Sequence, residues 1–201
     1  MKIIGLVGGS GAGKGMVSAF FKEYSFATID ADAVYHELIS SPGSECLNAL
    51  GCEFGESVIS SDGTLDRKAL ARTVFASGNG EKRKKLNQIA HKFVLDEVRR
   101  RISALDGTDA PAVVFDAPLL FESGFDKECD IIVCVLAEKN ARISRIVQRD
   151  GISEDMARAR ISSQLDDDFL ISHSDFVIRN DSDVHTLEKE VERVAKIILN
   201  N

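Results

Sequence analysis

The stretch Ile3-Ile4-Gly5-Leu6-Val7-Gly8-Gly9-Ser10-Gly11-Ala12-Gly13-Lys14 constrains this chain more than any other. An apolar run of strand length passes into a glycine-dense loop, then a lysine. A helical pattern follows, with Val17, Phe20 and Phe21 on one side. That order is the context a phosphate-binding loop requires. Glycine lets the backbone fold tightly, so several N–H groups converge on one anion. The positive end of the next helix adds to the same place, and Lys14 has the reach for the β- and γ-phosphates of ATP. Gly8, Gly13 and Lys14 fit the spacing G-x-x-x-x-G-K, and Gly9, Gly11, Ala12, Gly15 and Met16 complete the expected nucleotide-contacting run. One position departs. Gly15 stands where the motif has Ser or Thr, whose hydroxyl normally ligates Mg²⁺. A glycine-rich turn with a chance lysine is the competing reading, and the flanking strand and helix argue against it.

The 201 residues fit one domain with insertions, or a core plus a small lid, and suffice to bury a core without staples. A formal net charge of −7 argues against a nucleic-acid binder. An anionic substrate can still be held where basic groups concentrate locally. Cys46, Cys52, Cys129 and Cys134 form no C-x-x-C pair and have no histidine at ligand spacing. Free or buried thiols in a reducing cytosol are therefore expected, and zinc is not. The N-terminal apolar run is too short for a signal peptide, and no segment approaches a membrane span. The expectation is a soluble, cytoplasmic protein with no membrane contact.

Further along, Phe26–Asp30 reads as a second strand ending in Asp30-Ala31-Asp32. If the chain stays extended there, Asp30 and Asp32 share a face at the edge where open α/β sheets bind ligands. Either could instead cap the helix expected over Ala33–Ile39, and one of the pair is expected to be functional. Residues 41–110 lack strand–helix alternation: Pro42-Gly43 and Asp62-Gly63 mark turns, and 45–50, 66–76 and 81–105 read as helices. Ala112–Asp116 is an apolar third strand whose terminal Asp116 suits a second nucleotide motif, holding Mg²⁺ directly or through its waters. Asp130–Val135 and Phe176–Ile178 are the remaining strands, and 183–199 closes the chain as an amphipathic helix. Before it, Arg142, Arg145 and Arg149 share one helix face. Ordinary surface ion pairs account for Arg142, Arg158 and Arg160, whereas Arg145 and Arg149 are expected to clamp phosphate.

The assembled order resembles the dephospho-coenzyme A kinase family over nearly the full length. The resemblance is carried by Gly8–Lys14, Ile29-Asp30-Ala31-Asp32, Asp62–Arg67, Leu86-Asn87 with His91, Pro118–Glu122, Arg145–Gly151, Gln164 and Asp175–Asn180. It implies an α/β P-loop three-layer fold with a parallel five-stranded sheet, a helical substrate-binding insertion and a small helical lid. The core would be about 1–35, 111–137 and 174–201, the helical region about 36–110, and the lid about 138–173. It implies transfer of the ATP γ-phosphoryl group to the ribose 3′-hydroxyl of dephospho-CoA, with ATP and Mg²⁺ required and no protein partner specified. Asp32 would be base or orienter of the hydroxyl, with Lys14, Arg145 and Arg149 as the catalytic cations. Arg67, His91, Leu120, Phe121 and Glu122 would bind the acceptor alongside Asp32, and Asn180 would lie near the adenine. Two departures stand out: Gly15, and His36 where the family commonly has arginine. They leave two rivals, another small-molecule P-loop kinase such as a nucleoside-monophosphate kinase, and an ATP-binding protein without catalysis.

Overall fold

The computed structural model describes residues 1–75 and 80–200. In chain order the elements are β1 (Lys2–Val7), α1 (Lys14–Glu23), β2 (Ala27–Asp30), α2 (Ala31–Ser40), α3 (Glu45–Phe54), α4 (Arg67–Val74) and α5 (Gly80–Ala104). There follow β3 (Ala112–Asp116), α6 (Leu120–Ser123), β4 (Ile131–Leu136), α7 (Lys139–Asp150), α8 (Glu154–Ser162), α9 (Asp167–Ser172), β5 (Phe176–Arg179) and α10 (Val184–Asn200). The chain divides into two compact units, one of residues 1–29 with 106–201 and one of residues 30–105.

The first unit is built on a sheet of strand order β2-β3-β1-β4-β5. β1 pairs in parallel with β3 on one side and β4 on the other, and β4 pairs in parallel with β5. Strands flanked on both sides must be apolar throughout, and β3 and β4 are continuous runs of that kind. The connection after β1 leads towards β2, whereas the one after β3 leads to the opposite side, towards β4. Such a reversal opens a crevice at the carboxyl ends of β1 and β3, with Leu6 in register with Asp116. The loop after β1 and the residues after Asp116 therefore border one crevice. One face of the sheet is sealed by α1 and α10, whose Val17, Phe21, Leu187, Val191 and Val194 are buried against Ile4, Leu6, Val114 and Val133. Phe21 is fully buried and stacks on Phe26, with ring centroids 5.4 Å apart. A smaller cluster of Ile143, Ile146 and Ala157 joins α7 to α8.

The second unit is helical, and its own core gathers Ile39, Leu47, Leu50, Val58, Leu70 and Val74. Of the two readings of Asp30-Ala31-Asp32, extended chain or helix cap, the cap holds. The Asp30 carboxylate accepts the N–H groups of Asp32 at 2.8 Å and Ala33 at 3.0 Å, so α2 begins at Ala31. Satisfying two orphan donors at once outweighs the alternative of a longer strand. Asp30 is thus the cap, and Asp32 sits exposed in the first helical turn. α3 runs on to Phe54 rather than stopping near 50, because Gly51 is buried inside it and Gly55 provides the terminus at φ 93°. The turn at Asp62-Gly63 forms as expected: Asp62 accepts from the Thr64 N–H and hydroxyl, which together hold its carboxyl below the ordinary value. α4 is capped by Asp66, and the last position of the helix expected over 66–76 lies outside the described residues. The basic runs of α5 form a solvated face: Arg100 and Arg101 pair with Glu97, whose carboxyl is pulled down to about 2.

All four cysteines are free thiols. Burial pushes Cys46 up to about 11 and Cys129 and Cys134 up to about 12, so these thiols stay protonated and unreactive. No cluster of histidine, cysteine or carboxylate groups able to hold a metal occurs among the described residues.

The Phe21–Phe26 stack should be a main support of the first unit. Phe21→Ala is expected to destabilise the protein by about 3–5 kcal/mol, read from urea unfolding. A loss below about 1 kcal/mol would show that α1 is not anchored to the sheet by this ring.

Candidate active site

The loop between β1 and α1 wraps around a point in front of the α1 N-terminus. Its shape depends on two glycines in the left-handed region, Gly11 at φ 78° and Gly13 at φ 102°. Space is as restrictive as torsion there. A Cβ on Gly13 would lie 2.1 Å from Asn180 Nδ2, and one on Gly11 would lie 2.6 Å from the Arg142 carbonyl oxygen.

Three successive loop carbonyls are each taken by a side chain from elsewhere in the unit. Arg142 Nε donates to Ser10 O at 3.1 Å, Arg145 Nη1 to Gly11 O at 3.1 Å, and Asn180 Nδ2 to Ala12 O at 2.8 Å. A trans peptide is planar, with its C=O and N–H pointing opposite ways. Fixing the Ser10 and Ala12 carbonyls therefore turns the N–H groups of Gly11 and Gly13 away from Arg142 and Asn180. Ala12 N–H closes the loop on Gly9 O at 3.0 Å. Those of Gly11, Gly13, Lys14 and Gly15 donate to no protein acceptor among the described residues. Donors left without a protein acceptor in a glycine loop that ends at a helix N-terminus suit an anion cradle.

Lys14 crosses the mouth of the loop, with Nζ 3.3 Å from Gly8 O and 3.7 Å from Asp116 Oδ1. Both side chains are about 15% exposed, at 14% and 15%, so the pair is shielded yet accessible. Asp116 is thus where the apolar third strand predicts it, at the crevice. A Mg²⁺ ion fits this donor set in one way only. Asp116 is a single carboxylate, Gly15 has no hydroxyl, and a Cβ on Gly15 would meet nothing within 4 Å. The residues present suit a metal carried mainly by substrate phosphates and water, as Mg²⁺ commonly is.

The remaining expected residues divide between the units. In the first unit, a cavity of about 210 Å³ beside Gly8 and Gly9 is lined by Phe121, Glu122, Gln164 and Leu170. Leu120 does not line that cavity: its side chain is fully buried, packed where a Cβ on Gly5 would touch it at 2.6 Å. Asn180 is 5% exposed and braces the loop through its side chain. Arg145 spans Gly11 O and Asn180 O. Arg149 does not join them: it pairs with Asp150, which also pairs with Arg160 and is drawn down to about 2 by both. In the second unit, a cavity of about 370 Å³ is lined by Tyr35, Leu70, Phe75 and Leu86 together with Asp32, His36 and Arg67. His91 lies on α5, partly buried.

Arg142 is a correction. The sequence reading set it apart from Arg145 and Arg149 and assigned it to ordinary surface ion pairs. It is instead 3% exposed and bound to the loop. The signal available in the sequence was its position on α7 three residues before Arg145, on the same face.

The model for the dephospho-CoA kinase family matches residues 2–186 of this chain. Among its relatives, a dephospho-CoA kinase of Corynebacterium efficiens is 37% identical over 196 residues, 98% of this chain and 96% of that protein. One from Fusobacterium nucleatum is 37% identical over 199 residues, 98% of each. Among solved structures, a dephospho-CoA kinase from Campylobacter jejuni superimposes with TM-score 0.72 at 25% identity, covering 100% of this chain and 98% of that one. A shikimate kinase from Acinetobacter baumannii shares the fold alone, with TM-score 0.56 at 16% identity over 100% and 94% of the two chains.

The glycines of the loop should respond oppositely to a methyl group. Gly13→Ala must strain φ and displace Asn180, and is expected to weaken ATP binding at least about tenfold by fluorescence titration. Gly15→Ala has open space and a better helix former, and should raise stability by up to about 1 kcal/mol in thermal melts. Equal behaviour of the two variants would contradict the cradle geometry.

Proposed function

Because the chain belongs to the dephospho-CoA kinase family, we propose that it transfers the γ-phosphoryl group of ATP to the ribose 3′-hydroxyl of dephospho-CoA, giving ADP and coenzyme A. The observation that supports this most directly is the set of N–H groups of Gly11, Gly13, Lys14 and Gly15 that have no protein acceptor among the described residues, with the Lys14 ammonium beside them. Phosphoryl transfer has little covalent chemistry for a protein to perform, so positioning and charge neutralisation supply most of the acceleration. The loop amides and Lys14 hold the β- and γ-phosphates. Asp32 takes the proton of the 3′-hydroxyl as the new P–O bond forms and the bond to the β-phosphate oxygen breaks. Asp30 is engaged in capping α2, which favours Asp32 over Asp30 for that task.

Arg145 serves the nucleotide by exchanging its carbonyl partners for phosphate oxygens, and Arg149 does so by leaving Asp150. Residues 138–173, which carry both, act as the lid that keeps water from competing as acceptor. Asn180 contributes its surroundings to the adenine, while Phe121, Glu122, Arg67 and His91 serve the acceptor. The cavity of about 370 Å³ beside Asp32 is mainly apolar, with Arg67 as its cation, and suits part of a large acceptor with a diphosphate. Mg²⁺, when bound with ATP, neutralises charge on the β- and γ-phosphates, and Asp116 would hold it directly or through water. Gly15 implies that the protein contributes less to the metal than a serine or threonine would. The reading places the reaction in the cytoplasm, without nucleic acid. No helix among the described residues is long and apolar enough to cross a membrane.

A second reading, ATP binding without catalysis, draws on Gly15 alone. An assay of ADP release with and without dephospho-CoA separates them, with mass spectrometry locating the added phosphate. Release that depends on dephospho-CoA is expected; hydrolysis or no product over hours would remove the kinase reading. Asp32→Asn should lower kcat by about 10²–10⁴-fold. Gly15→Ser should tighten the apparent Mg²⁺ affinity in a metal titration of the same assay, and an unchanged titration would mean that position 15 has no part in holding the ion.

A further inference from the structure

Ser10 is held on both sides. Its N–H donates to Gln164 Oε1 at 2.8 Å, and its carbonyl accepts from Arg142 Nε at 3.1 Å. Arg142 Nη1 donates in turn to Asp167 Oδ1 at 3.0 Å. Gln164 and Asp167 lie in and just after the connection from α8 to α9, so this short segment grips the loop by two routes. The guanidinium is nearly sealed, whereas the Asp167 side chain is 46% exposed. The loop closes tightly over it: a Cβ on Gly9 would lie 1.9 Å from Arg142 Nη2.

We propose that Arg142 is a positioning residue for the phosphate cradle: held by Asp167, it fixes the Ser10 carbonyl so that the Gly11 N–H faces the phosphate chain. Gln164 locks the adjoining peptide by its N–H. The inference rests on the reading of this loop as the ATP site. The physical case is the rigidity of the peptide unit. The Ser10 carbonyl and the Gly11 N–H belong to one plane, so a partner on the first sets the direction of the second. Gly11 at φ 78° lies in a region that glycine occupies readily, and without an external hold the plane could rotate. A buried guanidinium needs a carboxylate to be tolerated there, and Asp167 supplies it. Neither Arg142 nor Asp167 then has to touch nucleotide to govern how tightly it is held.

The test measures binding of inorganic tripolyphosphate by calorimetry, together with steady-state kinetics, on the full chain. Arg142→Lys keeps the charge but loses the fork geometry, and should weaken tripolyphosphate and raise the KM for ATP by about tenfold. The KM for dephospho-CoA should stay that of the parent. Asp167→Asn, which keeps the shape and a side-chain oxygen to accept from Arg142 Nη1, should give a loss of about threefold in the same two quantities. In the double variant the losses should combine to less than their product, since Asp167 acts through Arg142. If Arg142→Lys melts at the assay temperature, Asp167→Asn carries the test by itself. The proposal is overturned if Asp167→Asn binds tripolyphosphate and ATP as the parent does. It is equally overturned if the two losses multiply in full, or if the dephospho-CoA KM rises in step with that for ATP. A parent that binds tripolyphosphate but phosphorylates no dephospho-CoA would remove the proposed activity and leave this inference to the variants. A parent that binds no tripolyphosphate would remove both.

Discussion

Everything this protein can do with a phosphate chain depends on which way a few peptide planes face. A glycine-rich loop has many conformations, and fixing it costs more entropy than fixing the same length of any other residue. Here that cost is met by three side chains taking the carbonyls of Ser10, Gly11 and Ala12 from outside the loop. Two are guanidiniums from α7, and the third is an amide just beyond β5. The loop is therefore a surface feature whose geometry is written in the helices and strands that surround it. It sits at the carboxyl ends of β1 and β3, where strand connections diverge and leave room for it.

The same arrangement changes how the cationic helix α7 is understood. Three arginines on one face might all be read as anion ligands, yet each has a different job. Arg142 lies beneath the loop and holds it. Arg145 donates to Gly11 O and Asn180 O, tying the loop to the residue just beyond β5. Arg149 is engaged by Asp150 at neutral pH, because that carboxylate remains ionised down to about 2. Distance from the loop along the helix, combined with the carboxylates nearby, sorts the three.

Position 15 shows the converse, a place where structure imposes little. Open space around it means that nothing steric requires glycine there. Under the proposed function, the lost hydroxyl would shift responsibility for the metal towards the phosphates, water and Asp116. A kinase can tolerate that because Mg²⁺ keeps several waters in any case. In the helical unit the two aspartates after β2 divide their work in a similar way: Asp30 caps α2, and that leaves Asp32 exposed in the helical turn beside the cavity.

The sequence by itself determined the strand–loop–helix order around Gly8–Lys14, the five strands and the placement of Asp116 at a strand end. These follow from local patterns: apolar runs, glycine spacing and turn residues act over a few positions and need no distant partner. The family was legible as well, because several short motifs recur in one order. Only the tertiary structure decided that Asp30 rather than Asp32 caps α2, that Leu120 belongs to the core, and that Arg142 is buried. The Asp30 cap is a local choice between two neighbouring carboxylates, whereas the other two outcomes turn on partners far away in sequence. Arg142 meets Ser10 across 132 residues, and Asn180 meets Ala12 across 168. Periodicity places a residue on a helix face, but what that face meets is set by the folding of the whole unit.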